Sequence, residues 1–152
     1  MKTPVRRSAF TLIEVLIVVV IMAILAATII PQFTDSTKDA KASTAVFNLH
    51  TLRSQIELYR AQHAGLAPAT AATLIELTQT TNEAGTAGTG SGFPYGPYIR
   101  EVPANPFTNL KTIKTTASAA PAVGEVTAGG GGWIYNVTTG GIWIDHADYY
   151  QK

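Results

Sequence analysis

From Phe10 to Ile30 every position is apolar except Thr11, Glu14 and Thr28, and no residue between Val15 and Phe33 carries a charge. As a helix this run reaches roughly 32 Å, one bilayer core. Beyond Pro31 the pattern changes. Ala42, Ala45, Leu49, Leu52, Ile56 and Tyr59 recur at steps of three and four, which places them on one helical stripe. Gly65 is a natural stop and Pro68 reinforces it. The pattern predicts one helix of about 50 residues, with its first half in a membrane and its second half packed under a small domain. Pro31 removes a backbone donor and is expected to kink or loosen that helix. The stripe is short, which favours packing under a sheet over a coiled-coil seam.

The remainder is built from shorter signals. "PATAATLIELTQ" predicts a second helix with Leu74, Ile75 and Leu77 on its apolar side, and "TTNEAGTAGTGSG" a mobile loop. No strand precedes those glycines and no Lys-Ser/Thr pair closes them, so they are not a phosphate cradle. "FPYGPYIREVPANPFTN" predicts an ordered loop with a short extended piece, and "TTASAAPAVGEVTAGGGG" a second flexible stretch. "GWIYNVTTGGIWID" alternates as a β-hairpin. Trp133, Tyr135 and Val137 are expected to share a face, Thr138–Gly141 to turn, and Ile142 and Ile144 to return. The expected fold class is α+β: a long N-terminal helix on a small C-terminal antiparallel sheet.

Charge adds an orientation. Eleven basic and ten acidic residues give a net charge of +1, so no nucleic-acid footprint exists. Lys2, Arg6 and Arg7 precede the apolar run, while Asp35, Lys38, Asp39 and Lys41 follow it. The unbalanced positive flank belongs on the cytoplasmic side and the C-terminal bulk outside. Cysteine is absent, which excludes disulfides, thiol catalysis and Cys-ligated zinc.

Catalytic patterns are lacking. His50 and His63 share no helical face for one metal and are expected at the surface. His146 lies between Asp145 and Asp148, where an oxygen-ligand or mixed metal site is conceivable beside a plain polar tail. No serine has a nucleophile-elbow context, and the two aspartates lack a cleft for acid/base work. The chain is not expected to be an enzyme.

The N-terminus is more specific. A secretory signal peptide places its small cleavage residues after the apolar region. Here Ser8 and Ala9 precede it, so a cut there leaves the apolar helix in the mature protein. "AFTLIEVLIVVVIMAILAATIIPQF" resembles the signature of type IV pilins and type II secretion pseudopilins. That resemblance implies a pilin-like fold and cleavage by prepilin peptidase between Ala9 and Phe10, with Ala9 where glycine is usual. It further implies N-methylation of Phe10, an assembly role for Glu14 as the fifth mature residue, and Pro31 as the family's helix-breaking proline. The implied organisation is a leader at 1–9, a transmembrane and assembly helix at 10–30 and a periplasmic globular domain at 31–152. "GPYIREVPANPFTN" is similar to a Pro-rich loop of the major pseudopilin, with Phe107 and Thr108 where Trp and Gly are usual.

The closest resemblance is to the major pseudopilin of type II secretion. It implies a single-pass inner-membrane protein that polymerises with itself, alongside minor pseudopilins and an inner-membrane assembly platform, to drive export across the outer membrane. No resident cofactor is expected. The resemblance also raises a C-terminal calcium site, for which Asp145 and Asp148 are the available acids; calcium takes six to eight oxygens. Two alternatives stay open: a structural type IV pilin of a surface pilus, and a signal-anchored periplasmic binding domain that never polymerises.

Overall fold

The computed structural model describes residues 10–70, 72–127 and 130–152. Helix α1 runs from Leu12 to Gln62, and the chain divides within it into two compact units, the first ending at Asp39 and the second beginning at Ala40. In the first unit α1 is long and apolar enough to cross a membrane, and its side chains from Leu12 to Ile30 are exposed. The helix continues through Pro31, so the expected interruption is confined to the one hydrogen bond that its missing N–H cannot donate. Thr28, Thr34, Ser36 and Thr37 bond their hydroxyls to carbonyls one turn earlier on either side of the proline. Such back-bonding satisfies these hydroxyls within the helix itself.

The second unit holds the core. Ala45, Leu49, Leu52, Ile56 and Tyr59 are buried, as their spacing predicts, and pack with Leu74, Leu77, Val102, Trp133, Tyr135, Ile142 and Ile144. Ala42, at the end of the stripe, is half-buried. Helix α1 ends in a left-handed turn at Ala64, φ +53°, and Gly65, φ +85°. There the Gly65 N–H donates to the Arg60 carbonyl at 2.8 Å, the wide bond of a Schellman cap.

Helix α2 is a single turn, Ile75–Thr78; Leu74 and Leu77 are buried and Ile75 only half-buried. The segment expected to be mobile carries an antiparallel pair instead, β1 Thr80–Thr81 with β2 Ala87–Gly88, and Thr81 also bridges Tyr95. The Asn82 side chain accepts from the Thr86 N–H at 2.9 Å and closes the turn between them.

The main sheet has the order β3 Ile113–Thr115, β4 Trp133–Tyr135, β5 Ile142–Ile144. Strands β4 and β5 form the expected hairpin, but β3 lies parallel to β4, so the sheet is mixed rather than purely antiparallel. A parallel pair needs a long crossover. The Ala/Gly-rich stretch expected to be flexible supplies it, and is fastened by a 3-10 turn at Val123–Glu125. Glu125 accepts from the Thr116 hydroxyl at 2.6 Å and the Ala122 N–H at 2.8 Å. Being central, β4 is buried at all three residues, whereas Val137 lies beyond the strand and is exposed, contrary to simple alternation. Asn136 caps the hairpin turn, accepting from the Thr138 and Thr139 N–H groups at 2.8 and 2.9 Å.

Candidate functional site

Thr11 immediately precedes α1 and Glu14 lies in its first turn. The Thr11 N–H and hydroxyl both donate to Glu14 Oε2, at 2.8 and 2.7 Å, and the Glu14 N–H donates back to Thr11 Oγ1 at 3.3 Å. This is a capping box, which satisfies helix-start amides and seats an acid at the positive end of the helix dipole. The exposed Glu14 carboxylate is thereby drawn back towards the N-terminal side of the helix, onto Thr11. Thr11 was not among the sequence candidates, although Ser/Thr-x-x-Glu ahead of an apolar run is its signal. Ala9, on the other side of the expected cut, lies outside the described residues.

The second candidate region joins the Pro-rich loop to the C-terminal strands. Asn105 is fully buried; its amide donates to the carbonyls of Gly131 and Gly132 at 2.8 and 3.1 Å, and its Oδ1 accepts from the Phe107 N–H at 3.0 Å. The Thr108 hydroxyl donates to the Gly131 carbonyl at 2.6 Å, and the Trp133 indole to the Pro103 carbonyl at 2.8 Å. Asp145 is buried, and Thr127 covers both its oxygens: the N–H reaches Oδ1 at 2.7 Å and the hydroxyl Oδ2 at 2.6 Å. Asp148 points outward, its side chain 82% exposed and 4.0 Å from His146 Nδ1. The His146 ring instead tilts onto Phe107, which also stacks on Tyr149.

His50 is exposed as expected, but His63 is not a surface residue. It is fully buried, stacked on Tyr59 at 3.9 Å, with Nδ1 2.8 Å from the Tyr59 carbonyl and Nε2 3.0 Å from both Thr81 Oγ1 and the Asn82 carbonyl. Position on the helix suggested exposure; the β1–β2 hairpin folding over the end of α1 reverses it. This histidine fastens two elements together and faces no cleft.

Two protein-family profiles match the chain. One, described as the prokaryotic N-terminal methylation motif, covers residues 5–30; the other, described as type II secretion system (T2SS) protein G, covers residues 32–126. The chain belongs to the type II secretion protein G family. Its relatives include a type II secretion system core protein G from Pseudomonas aeruginosa, 36% identical over 55 residues, which are 36% of this chain and 39% of the relative. Another, of the same description, comes from Dickeya chrysanthemi and is 30% identical over 59 residues, 39% of each chain. The matched stretch thus spans about two-fifths of the length of either relative. No solved structure matches.

The protein G match ends at residue 126, one residue before Thr127, so the Thr127–Asp145 corner must be judged on its own geometry. Calcium needs six to eight oxygens at about 2.3–2.6 Å. Here one carboxylate is buried, and N–H or O–H donors already occupy its oxygens and the Gly131 and Gly132 carbonyls. A Cβ at Gly131 would overlap Asp145 Oδ2, so the carboxylate is closely walled. Among the described residues no three His, Cys, Asp or Glu side chains converge as a metal site. These residues do not fit calcium.

Proposed function

We propose that this chain is the major structural subunit of a type II secretion pseudopilus, anchored in the inner membrane by α1 with its second unit in the periplasm. The observation that carries the reading is the joining, in one chain, of an apolar helix headed by an oriented acid to a protein G unit. The protein G match favours this over a surface pilin. In this reading prepilin peptidase cuts between Ala9 and Phe10 and the new amine of Phe10 is methylated. Subunits then leave the lipid and stack through α1, together with minor pseudopilins on an inner-membrane assembly platform.

Assembly follows from electrostatics. In a filament core of low dielectric a carboxylate without a partner is costly, and the amine of a neighbouring Phe10 is a suitable cation. The capping box supports this role because it holds the Glu14 side chain near the helix start before any neighbour arrives. A salt contact at that point sets the axial offset between adjacent helices.

The deciding experiment is Glu14→Gln, examined for cleavage, membrane insertion and filament formation. Cleavage acts on single subunits and is retained. Filaments and secretion are lost, since removing one partner of a buried ion pair costs about 3–5 kcal/mol at each subunit contact. In mixed expression the variant stays in the membrane pool and enters filaments poorly beside wild type. Normal filaments from the pure variant would refute an assembly role for Glu14. A chain that remains monomeric under conditions that assemble other secretion filaments would point instead to an anchored binding domain.

A further inference from the structure

We propose that a hydrogen-bond clasp, Thr127 on Asp145 with Asn105 and Thr108 on the adjoining carbonyls, does in this chain the work that the family resemblance assigns to a bound calcium ion. The protein therefore holds its C-terminal corner together without calcium.

A calcium ion at such a corner collects carboxylate and carbonyl oxygens from segments distant in sequence. The same kinds of oxygen are gathered here. Asp145 supplies the carboxylate from the end of β5, and Gly131 and Gly132 supply carbonyls from the approach to β4. What meets them is a set of donors: the Thr127 N–H and hydroxyl, the Asn105 amide and the Thr108 hydroxyl. The Asp145 N–H also donates to the Gly132 carbonyl at 3.2 Å, and the Gly131 N–H to the Asp145 carbonyl at 2.8 Å.

The charge balance agrees. One buried carboxylate matches two neutral donors well, as at a capped helix start, and matches a divalent cation poorly. The second acid expected from the sequence, Asp148, faces solvent and contributes nothing to the cluster. Glycine at 131 is part of the device, because a side chain there would collide with the carboxylate that Thr127 grips. The corner joins three segments, the Pro-rich loop, the end of the crossover and the end of β5, so its loss would release the C-terminal hairpin from the rest of the unit.

The test uses full-length protein in detergent, with buried Trp133 as the fluorescence probe and hydrogen exchange over residues 127–132 as the local one. Wild type has the same Tm and exchange rates in millimolar calcium and in excess EGTA. Thr127→Val removes the hydroxyl while keeping the shape. It should speed local exchange roughly tenfold or more and lower Tm by about 5 °C, the scale for a lost hydrogen bond to a charged group. Thr127→Ser keeps the hydroxyl and stays near wild type. None of the three responds to calcium. A saturable rise in wild-type Tm on adding calcium would overturn the proposal, as would a Thr127→Val protein indistinguishable from wild type. If Thr127→Val fails to fold, the wild-type calcium comparison still decides. Either failure leaves the assembly reading intact, since that rests on Glu14 and is read from filaments.

Discussion

Single residues in this protein act mostly by satisfying others. Leu52 and Ile56 are buried where α1 meets the sheet, so either one changed to alanine should cost about 2–5 kcal/mol in denaturant unfolding. A cost near zero at both would mean that the stripe does not pack as described. Asn105 is a polar counterpart: alanine there strands the Phe107 N–H and takes one donor from each of the Gly131 and Gly132 carbonyls, and a loss of about 1–3 kcal/mol is expected. Tyr59 shows how burial becomes pH dependence. Desolvation, helped by the nearby Glu76 carboxylate, pushes its hydroxyl from 10.0 up to about 12. Because the folded value is raised, its contribution is complete below pH 10 and is lost as pH rises from there through about 12. The urea midpoint should therefore fall across that window, and Tyr59→Phe should lessen the fall. Tyr135 is shifted in the same direction by its burial and shares the effect.

At the scale of elements, the crossover between β3 and β4 depends on an acid. Hydrogen bonds from the Thr116 hydroxyl and then the Ala122 N–H hold the Glu125 carboxyl below the usual carboxylate range. A lowered folded value means that the contribution is present above the ordinary value of 4.5 and is lost as pH falls through the folded one. Protection from hydrogen exchange in residues 116–126, taken relative to the intrinsic rate at each pH, should hold from neutrality down to 4.5 and fall away as the pH drops below it. Glu125→Gln should flatten that profile; an unchanged profile would show that the acid does not fasten the crossover. Helix α1 belongs to the same scale. Its long stripe gave a readable period, whereas β1, β2 and β3 are two or three residues each and too short to show one. That is why the segment expected to be mobile carries β1 and β2, and why β3 was not anticipated.

At the scale of the whole molecule, the two units call for different tests. The second has its own core, so a fragment beginning at Phe33 should be monomeric and cooperative, with Trp133 protected from quencher. An unfolded fragment would mean that the first unit is needed for folding. The first unit bears on maturation. Intact-mass analysis of protein from cells with active prepilin peptidase should show loss of residues 1–9 and one added methyl. Recovery of Met1 would contradict the processing reading.

By itself the amino-acid order determined the parts governed by period and local chemistry: the apolar run, the stripe from Ala45 to Tyr59, the β4–β5 hairpin and the N-terminal signature. Each is written in neighbouring residues, where hydrophobic spacing or turn chemistry leaves few options. Tertiary structure alone decided the parallel pairing of β3 with β4, the burial of His63 under the β1–β2 hairpin and the grip of Thr127 on Asp145. Those outcomes join residues far apart in the chain. A polar side chain is neither core nor surface, ligand nor lock, until the fold supplies the donors and acceptors around it.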